Sequence, residues 1–143
     1  MILPDVNILV YAHREDAHQH EFYLAWLQDV VNGHEAFGLS DLVLSGFIRV
    51  VTHPKIFKTP STVETAIEFA NQLRQVPHCV PVNPGPRHWS IFAALCHEHN
   101  AKGNIVADTF FAALAIESGS EWITTDRDFS RFKGLKWRHP LKS

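Results

Sequence analysis

The chain has 143 residues, 45% hydrophobic and 20% charged, with a formal net charge of -2. This length allows one domain with its own core, and the composition is typical of a globular protein. No stretch approaches the roughly 20 apolar residues of a membrane span, and the overall charge is not the basic one usual in nucleic-acid binders.

The chain start and the cysteines indicate a cytoplasmic protein. Asp5 interrupts the apolar beginning and no basic region precedes it, so we expect no secretory signal. Cys79 and Cys96 are too few and too far apart for a disulfide framework. Two buried free thiols in a reducing compartment are the default expectation, although the sequence leaves a disulfide open.

Strands and helices alternate along the chain. Short apolar stretches predict strands at 2–6, 36–39, 79–82, 122–124 and 135–138. Apolar residues at helical spacing predict helices at 8–12, 18–31, 41–51, 87–99 and 105–118, the last ending at Gly119. The alternation predicts an α/β fold with a parallel or mostly parallel central sheet and helices on both faces, as one domain over residues 1–143.

A further helix is predicted after the Ser61–Glu64 segment, which has the pattern of a capping box. In that motif the serine side chain accepts from the backbone N–H of the glutamate, whose side chain reaches back to the serine N–H. We expect this helix to bury five apolar residues: Val63, Ala66, Ile67, Ala70 and Leu73.

The charges are unevenly distributed. Residues 1–50 hold seven acids and only two bases, whereas the segment from residue 127 to the end holds six bases and one acid. The six bases are Arg127, Arg131, Lys133, Lys136, Arg138 and Lys142. A basic flank beside an acidic site is able to hold a phosphate backbone, but for any single residue a solvated surface position explains the charge as well.

Aspartates occur where a purely structural role is hard to find. Asp5 lies in an apolar strand, and Asp108 lies in a helix that is apolar nearly all round and therefore expected to be buried. Asp126 follows a strand at its carboxyl end, and Asp128 comes two residues later. Helix capping is an equally good explanation for Asp5 and for Asp126, but not for Asp108.

Crowded carboxylates point to a divalent cation. They repel one another, and without a cation some of them take up protons. Mg²⁺ prefers oxygen ligands and usually binds one or two protein carboxylates together with waters and substrate phosphate. By contrast, the histidines lack metal-site spacing, and neither a nucleophile elbow nor a phosphate-binding glycine loop is present.

Four segments together resemble a PIN-domain nuclease, and most closely a VapC-type toxin of bacterial toxin–antitoxin pairs. They begin at Pro4, Leu44, Gly103 and Thr125 and read PDVNILVYA, LSGFIRVVTHP, GNIVAD and TDRDFSRF. Each is short, but their order and spacing are specific, and the resemblance runs from residue 1 to 141. It implies a PIN-like three-layer α/β sandwich and a cytoplasmic ribonuclease that uses Mg²⁺ or Mn²⁺.

The resemblance also implies site residues and partners. Asp5, Asp108 and Asp126 become the catalytic, metal-binding acids and Asp128 an accessory metal ligand. Asn7 and Thr125 become polar residues that orient ligands or water, although local capping hydrogen bonds explain them equally well. The implied partners are an RNA substrate such as tRNA or rRNA, a VapB-type antitoxin and a second copy of the chain in a homodimer, with no membrane.

One position departs from the family pattern. PIN domains commonly carry a glutamate on the third helix, and the matching residue here is Gly46. A branch of the toxins resembles this chain in that glycine. Asp41 is a possible compensating acid, although an aspartate at a helix start also serves as an N-cap. The missing acid makes a site with one metal plausible.

Two other functions compete with the nuclease. A catalytically weak PIN-fold module that binds RNA or protein fits the missing glutamate, but gives no reason to keep buried carboxylates. A Mg²⁺ phosphatase would need a nucleophilic aspartate in a phosphate-cradling loop, which the sequence lacks. Apolar residues on the early helices are candidates for contact with an antitoxin or second copy, or for the domain's own core: Phe22, Trp26 and Phe57.

Overall fold

A computed structural model describes residues 1–141; Lys142, the last base of the predicted basic flank, and Ser143 lie outside the described residues. The strands are β1 (Ile2–Pro4), β2 (Phe37–Leu39), β3 (Cys79–Pro81), β4 (Glu121–Ile123) and β5 (Trp137–Arg138). The helices are α1 (Val6–His13), α2 (His20–Asn32), α3 (Asp41–Val51), α4 (Val63–Arg74), α5 (His88–His99) and α6 (Asn104–Ser118), with a 3-10 helix at Arg127–Arg131. None of these helices is both long and apolar enough to cross a membrane.

The strands form one sheet in the order β3-β2-β1-β4-β5, and every pairing is parallel. The predicted α/β class with a mostly parallel sheet flanked by helices is therefore confirmed. From β1 the chain continues to β2 on one side, while β4 pairs with β1 on the other. In such sheets ligands bind at the carboxyl ends of the strands, where the strand order reverses. That point lies here between β1 and β4.

A continuous apolar core lies between the sheet and its helices. Its largest fully buried side chains come from both, and include Leu3, Phe37, Phe47, Leu114, Trp122 and Phe129. Trp122 stacks against Phe111 with ring centroids 5.2 Å apart. The cysteines are free, as expected, but each is only half-buried.

Leu114→Ala tests the core. Leu114 is fully buried, so we expect the free energy of unfolding to fall by about 2–5 kcal/mol through lost burial and a residual cavity. Leu42→Ala is the matched control, because 45% of Leu42 is exposed and its truncation should change stability by less than about 1 kcal/mol. Equal losses in urea unfolding of the two variants would contradict the predicted core.

The expected capping box is wrong by one residue. Thr62 is the N-cap of α4, and its hydroxyl accepts from the backbone N–H of Thr65 at 3.1 Å. Ser61 instead contacts His13 and Arg14 of the first helix. Of the five apolar residues expected to be buried, Ala66, Ala70 and Leu73 are buried, but Val63 and Ile67 are 48% and 44% exposed. The N-cap lies one residue later than predicted because the Ser61 hydroxyl is hydrogen-bonded to His13 and Arg14 instead.

The bounds of α3 and the end of α6 agree with those predicted from the sequence. Helix α3 has the predicted bounds, and Ser40 rather than Asp41 is its N-cap, with its hydroxyl accepting from the Leu42 N–H at 3.2 Å. Helix α6 ends at Gly119 as predicted, where a left-handed backbone with φ of 65° favours glycine. The first strand is shorter than predicted, however: β1 ends at Pro4, and Asp5 lies between it and α1 rather than within the strand.

Candidate active site

Asp5 occupies the junction between β1 and α1. Its backbone N–H donates to the Ile123 carbonyl of β4 at 2.8 Å, which fixes it at the strand-order reversal. Its side chain is the N-cap of α1, with Oδ1 accepting from the Val6 N–H at 2.6 Å. Only 8% of Asp5 is exposed. The capping explanation for Asp5 is therefore confirmed, without removing it from a site with other carboxylates.

Thr124 links two of the aspartates. Its fully buried hydroxyl donates to Oδ2 of Asp5 at 2.7 Å and accepts from the backbone N–H of Asp126 at 3.0 Å. The sequence analysis assigned a polar orienting role to the neighbouring Thr125 and missed Thr124. The detectable signal was its place directly after β4, where a residue faces the carboxyl edge of the sheet.

Asp126 and Asp128 form the next turn. Asp126 is the N-cap of the 3-10 helix, and its Oδ1 accepts from the Asp128 N–H at 2.9 Å, so the capping explanation is confirmed here too. The Asp128 side chain is 71% exposed and lies 3.9 Å from Nη2 of Arg131, whose Nε donates to the Asp128 carbonyl. Arg131 is thus the base of the predicted basic flank that stands beside the acidic residues.

Asp108 approaches from α6. It is half-buried, and its carboxylate forms no hydrogen bond with any residue in the range 1–141. The expectation that α6 is buried all round is wrong for its beginning: Val106 and Ala107 are exposed, whereas Thr109 and residues 112–115 are buried. The first turns of α6 lie at the surface, which leaves Asp108 open to solvent and to ligands.

The carboxylates influence one another electrostatically. Burial raises the pKa of Asp5 from 3.8 to about 6, with smaller contributions from the charges of Asp108 and Asp126; the hydrogen bonds from Thr124 and Val6 oppose the shift. Burial also raises the pKa of Asp108, as do Asp126 and Asp128, while Arg131 lowers it. Asp5, Asp108 and Asp126 therefore share one region of negative potential, with Asp128 at its edge.

The donor chemistry fits a hard divalent cation. Each Asp5 oxygen accepts one hydrogen bond and retains a second lone pair, and Asp108 is not hydrogen-bonded within the described chain. Among residues 1–141, no three histidine, cysteine or acidic side chains converge closely enough to form a ready-made metal site. The arrangement suits an ion that takes two protein carboxylates and fills its other positions with water and phosphate.

The remaining predicted residues lie less centrally. Asn7 is exposed and Thr125 half-exposed; neither side chain contacts the aspartates through a hydrogen bond in residues 1–141, and their orienting roles stay predictions. The Asp41 carboxylate lies 4.0 Å from Nη2 of Arg74 on α4, which draws it toward that cation. A Cβ added at Gly46 would lie 3.0 Å from Val6, so α3 and α1 pack closely there.

Thr124→Val tests the link between the aspartates. The valine removes the hydroxyl that donates to Asp5 and accepts from Asp126, so we expect about 1–3 kcal/mol less unfolding free energy. If the aspartates hold a metal that cleaves RNA, as the family resemblance implies, the cleavage rate should fall by roughly 10–100-fold, as it does for partners that orient metal ligands. Thr124→Ser retains the hydroxyl and should recover most of the cleavage rate. Equal rates for the valine and serine variants would contradict the positioning role.

Comparison with known proteins places these features in a family. The PIN domain family matches residues 2–135. The VapC ribonuclease Mb2897 of Mycobacterium bovis is 43% identical over 141 residues, covering 99% of this chain and 96% of the relative. Ribonuclease VapC25 of Mycobacterium tuberculosis is 34% identical over 140 residues, covering 98% and 99%.

Solved structures agree in fold. VapBC2 from Rickettsia felis, solved bound to a promoter DNA fragment, has a TM-score of 0.70 at 19% identity, covering 97% of this chain and 98% of that one. VapC20 of Mycobacterium tuberculosis, a sarcin-ricin-loop-cleaving toxin, has a TM-score of 0.62 at 16% identity, covering 95% and 99%. From its sequence and fold together, this chain belongs to the PIN-domain family and, within it, to the VapC-type proteins.

Proposed function

We propose that this chain is a Mg²⁺- or Mn²⁺-dependent endoribonuclease, the toxin of a cytoplasmic toxin–antitoxin pair, that hydrolyses phosphodiester bonds in structured RNA such as tRNA or rRNA. The observation that carries the proposal is the gathering of Asp5, Asp108 and Asp126 where the strand order reverses. A buried carboxylate with a raised pKa beside two others is costly to the fold and is typical of a functional site. The nuclease names of the relatives support the same activity.

Each side chain of the site has a proposed role that follows from its position. Asp5 and Asp108 would hold the ion, and Asp126 would hold it or orient a water. A bound Mg²⁺ lowers the pKa of a coordinated water and neutralises charge that develops on the phosphodiester. Thr124 keeps the Asp5 carboxylate oriented through its 2.7 Å hydrogen bond. Arg131, which acts electrostatically on Asp108 and lies 3.9 Å from Asp128, is a cation that would meet an RNA phosphate at the site.

The same family likeness supports two partners. Structural relatives of this chain include VapBC complexes from Rickettsia felis and Haemophilus influenzae, which suggests a VapB-type antitoxin here. We also propose a homodimer. Of the apolar residues considered for such contacts, Phe22 is 62% exposed and remains a candidate, whereas Trp26 and Phe57 are half-buried against the core. Arg14 lies over the Phe57 ring at 4.3 Å.

A second candidate function is a PIN-fold module that binds RNA without cutting it efficiently. Gly46 in place of the usual acid favours it, and so does the lack of a ready-made three-ligand metal group in residues 1–141. The raised pKa of Asp5 argues against it, because a binder gains nothing from an uncompensated buried carboxylate. Metal-dependent cleavage separates the two functions.

The test is incubation of the antitoxin-free protein with total bacterial RNA in Mg²⁺, in Mn²⁺ and in EDTA. We expect discrete fragments in either metal and none in EDTA. An Asp41→Asn variant assayed in parallel shows whether that acid compensates for Gly46: a large loss would assign it a role despite its contact with Arg74. Intact RNA in both metals, from protein that is folded by circular dichroism, would favour the binding module.

A further inference from the structure

A groove of about 520 Å³ opens between α3 and α6 and adjoins the aspartates. The Gly46 groove, as we call it, is lined by Val6, Leu42, Ser45, Gly46, Arg49, Phe92, Gly103, Val106, Ala107, Phe110 and Phe111. Two of these residues, Val6 and Ala107, are the direct chain neighbours of Asp5 and Asp108. Whatever occupies the groove therefore lies beside a substrate held at the carboxylates.

Small residues shape the groove. At Gly46 even a methyl group would press on Val6 at 3.0 Å, so a glycine there lets α3 approach the start of α1 while contributing no side chain to the groove. Gly103, on the opposite wall, has nothing within 4 Å of an added Cβ. The position where the family resemblance leads us to expect an acid therefore carries no side chain in this chain and packs against Val6 instead.

One cation lies in this mostly apolar lining. Arg49 is exposed, and its guanidinium has no ion-pair or hydrogen-bond partner in residues 1–141. By contrast, the other base of residues 1–50, Arg14, is held by Asp16 and packs on a phenyl ring. An unpaired guanidinium at the rim of a groove that leads to the scissile position suits a phosphate of the same strand.

An aromatic series leads outward from the groove. Phe110 and Phe92 have ring centroids 5.6 Å apart, and Phe92 lies 5.5 Å from Trp89. Trp89 is 72% exposed, unlike the fully buried Trp122. Proteins that bind single-stranded nucleic acid stack its bases on exposed aromatic rings and hold its backbone with cations.

We propose that the Gly46 groove binds the unpaired nucleotides next to the scissile phosphodiester, with Arg49 on a phosphate and Trp89 and Phe92 stacked on bases. This inference rests on the proposed function, because it places the groove's occupant on the RNA substrate. A single strand is the form that fits, since bases in a duplex are already stacked and cannot reach these rings. The lining offers few hydrogen-bonding groups, so the groove favours unpaired RNA over a particular base.

The experiment measures binding of a fluorescein-labelled single-stranded oligoadenylate by anisotropy, in EDTA so that no cleavage occurs. The test variants are Arg49→Gln, Trp89→Ala and Val106→Glu, which are all at exposed positions and should fold. One matched control is Lys136→Gln, because the structure places this base of the predicted basic flank at the amino ends of the strands, the edge of the sheet opposite the aspartates. The other is Val63→Glu, at a valine of α4 that is 48% exposed, against 38% for Val106. Cleavage of total RNA is assayed on the same preparations.

We expect the Arg49, Trp89 and Val106 variants each to weaken binding by about fivefold or more, while the controls stay within about twofold. Arg49→Gln should also reduce the salt slope of the affinity by about 0.7. If the three variants lose RNA binding but the parent protein shows no metal-dependent cleavage, RNA binding in the groove would be supported and the proposed nuclease activity refuted. Normal binding and cleavage by all three variants would leave the proposed nuclease activity standing and refute RNA binding in the Gly46 groove. A change in oligomeric state without a change in RNA binding would also refute RNA binding in the groove.

Discussion

Asp108→Asn is expected to reduce metal-dependent RNA cleavage by more than about a hundredfold. Replacing the outer partners of metal ligands already costs roughly 10–100-fold, so a direct ligand should cost at least as much. Asp108 is the most informative position because its carboxylate forms no hydrogen bond with another residue of the described chain. The variant should therefore retain its fold, and any loss reports on the chemistry.

The control for that loss is Asp29→Asn. Asp29 is an exposed acid at the amino ends of the strands, the opposite edge of the sheet from the aspartates, and should leave initial cleavage rates unchanged. Thermal unfolding of both variants should resemble that of the parent chain. A fully active Asp108→Asn protein would remove Asp108 from the catalytic residues and with it the basis for a metal held between β1 and α6.

Asp5→Asn is expected to stabilise the metal-free protein at pH 7 while inactivating it. Because the folded-state pKa of Asp5 is about 6 against an ordinary 3.8, the folded state binds the proton more tightly than the unfolded state does. Stability from this group is therefore fully present below about pH 4, and it is lost as the pH rises through about 6. The shift corresponds to a cost on the order of 3 kcal/mol at neutral pH.

The asparagine removes that cost but exchanges an oxygen that accepts from Thr124 for an amide group, so we expect a net gain on the order of 1–2 kcal/mol. Urea unfolding in EDTA at pH 4, 5, 6, 7 and 8 measures it. At pH 4 the variant should be no more stable than the parent, because most of the charge cost is absent there while the change in the hydrogen bond remains. Its advantage should appear as the pH rises and be complete by about pH 7. Added Mg²⁺ should stabilise the parent chain and not the variant. A variant less stable than the parent at every pH would contradict the account.

Much of the fold was predictable because hydrophobic periodicity and end signals agree. Helix α3 has its predicted bounds, since a polar start, an apolar stripe and a following proline all specify the same segment. The end of α6 at Gly119 was equally clear. The capping box failed because Ser61 and Thr62 are both good N-caps, and only tertiary contacts of Ser61 with α1 decide between them.

The site was predictable in its acids but not in the groups that orient them. Asp5, Asp108 and Asp126 were recognisable as carboxylates in apolar surroundings. Thr124 and Thr125 are adjacent and chemically identical, so only the strand's orientation shows that Thr124 contacts Asp5. The role of Arg131 was equally hidden among six basic residues, because its place beside Asp128 depends on the turn that follows β4.

The most direct measurement of the central claim is an electron paramagnetic resonance titration of Mn²⁺ into the antitoxin-free protein, beside the Asp108→Asn variant. If the aspartates form a metal-dependent nuclease centre, Mn²⁺ should bind a single saturable site per chain, compete with Mg²⁺, and bind at least about tenfold more weakly to the variant. Saturable binding that is unaffected by the substitution, or no saturable binding at concentrations that support cleavage, would contradict it.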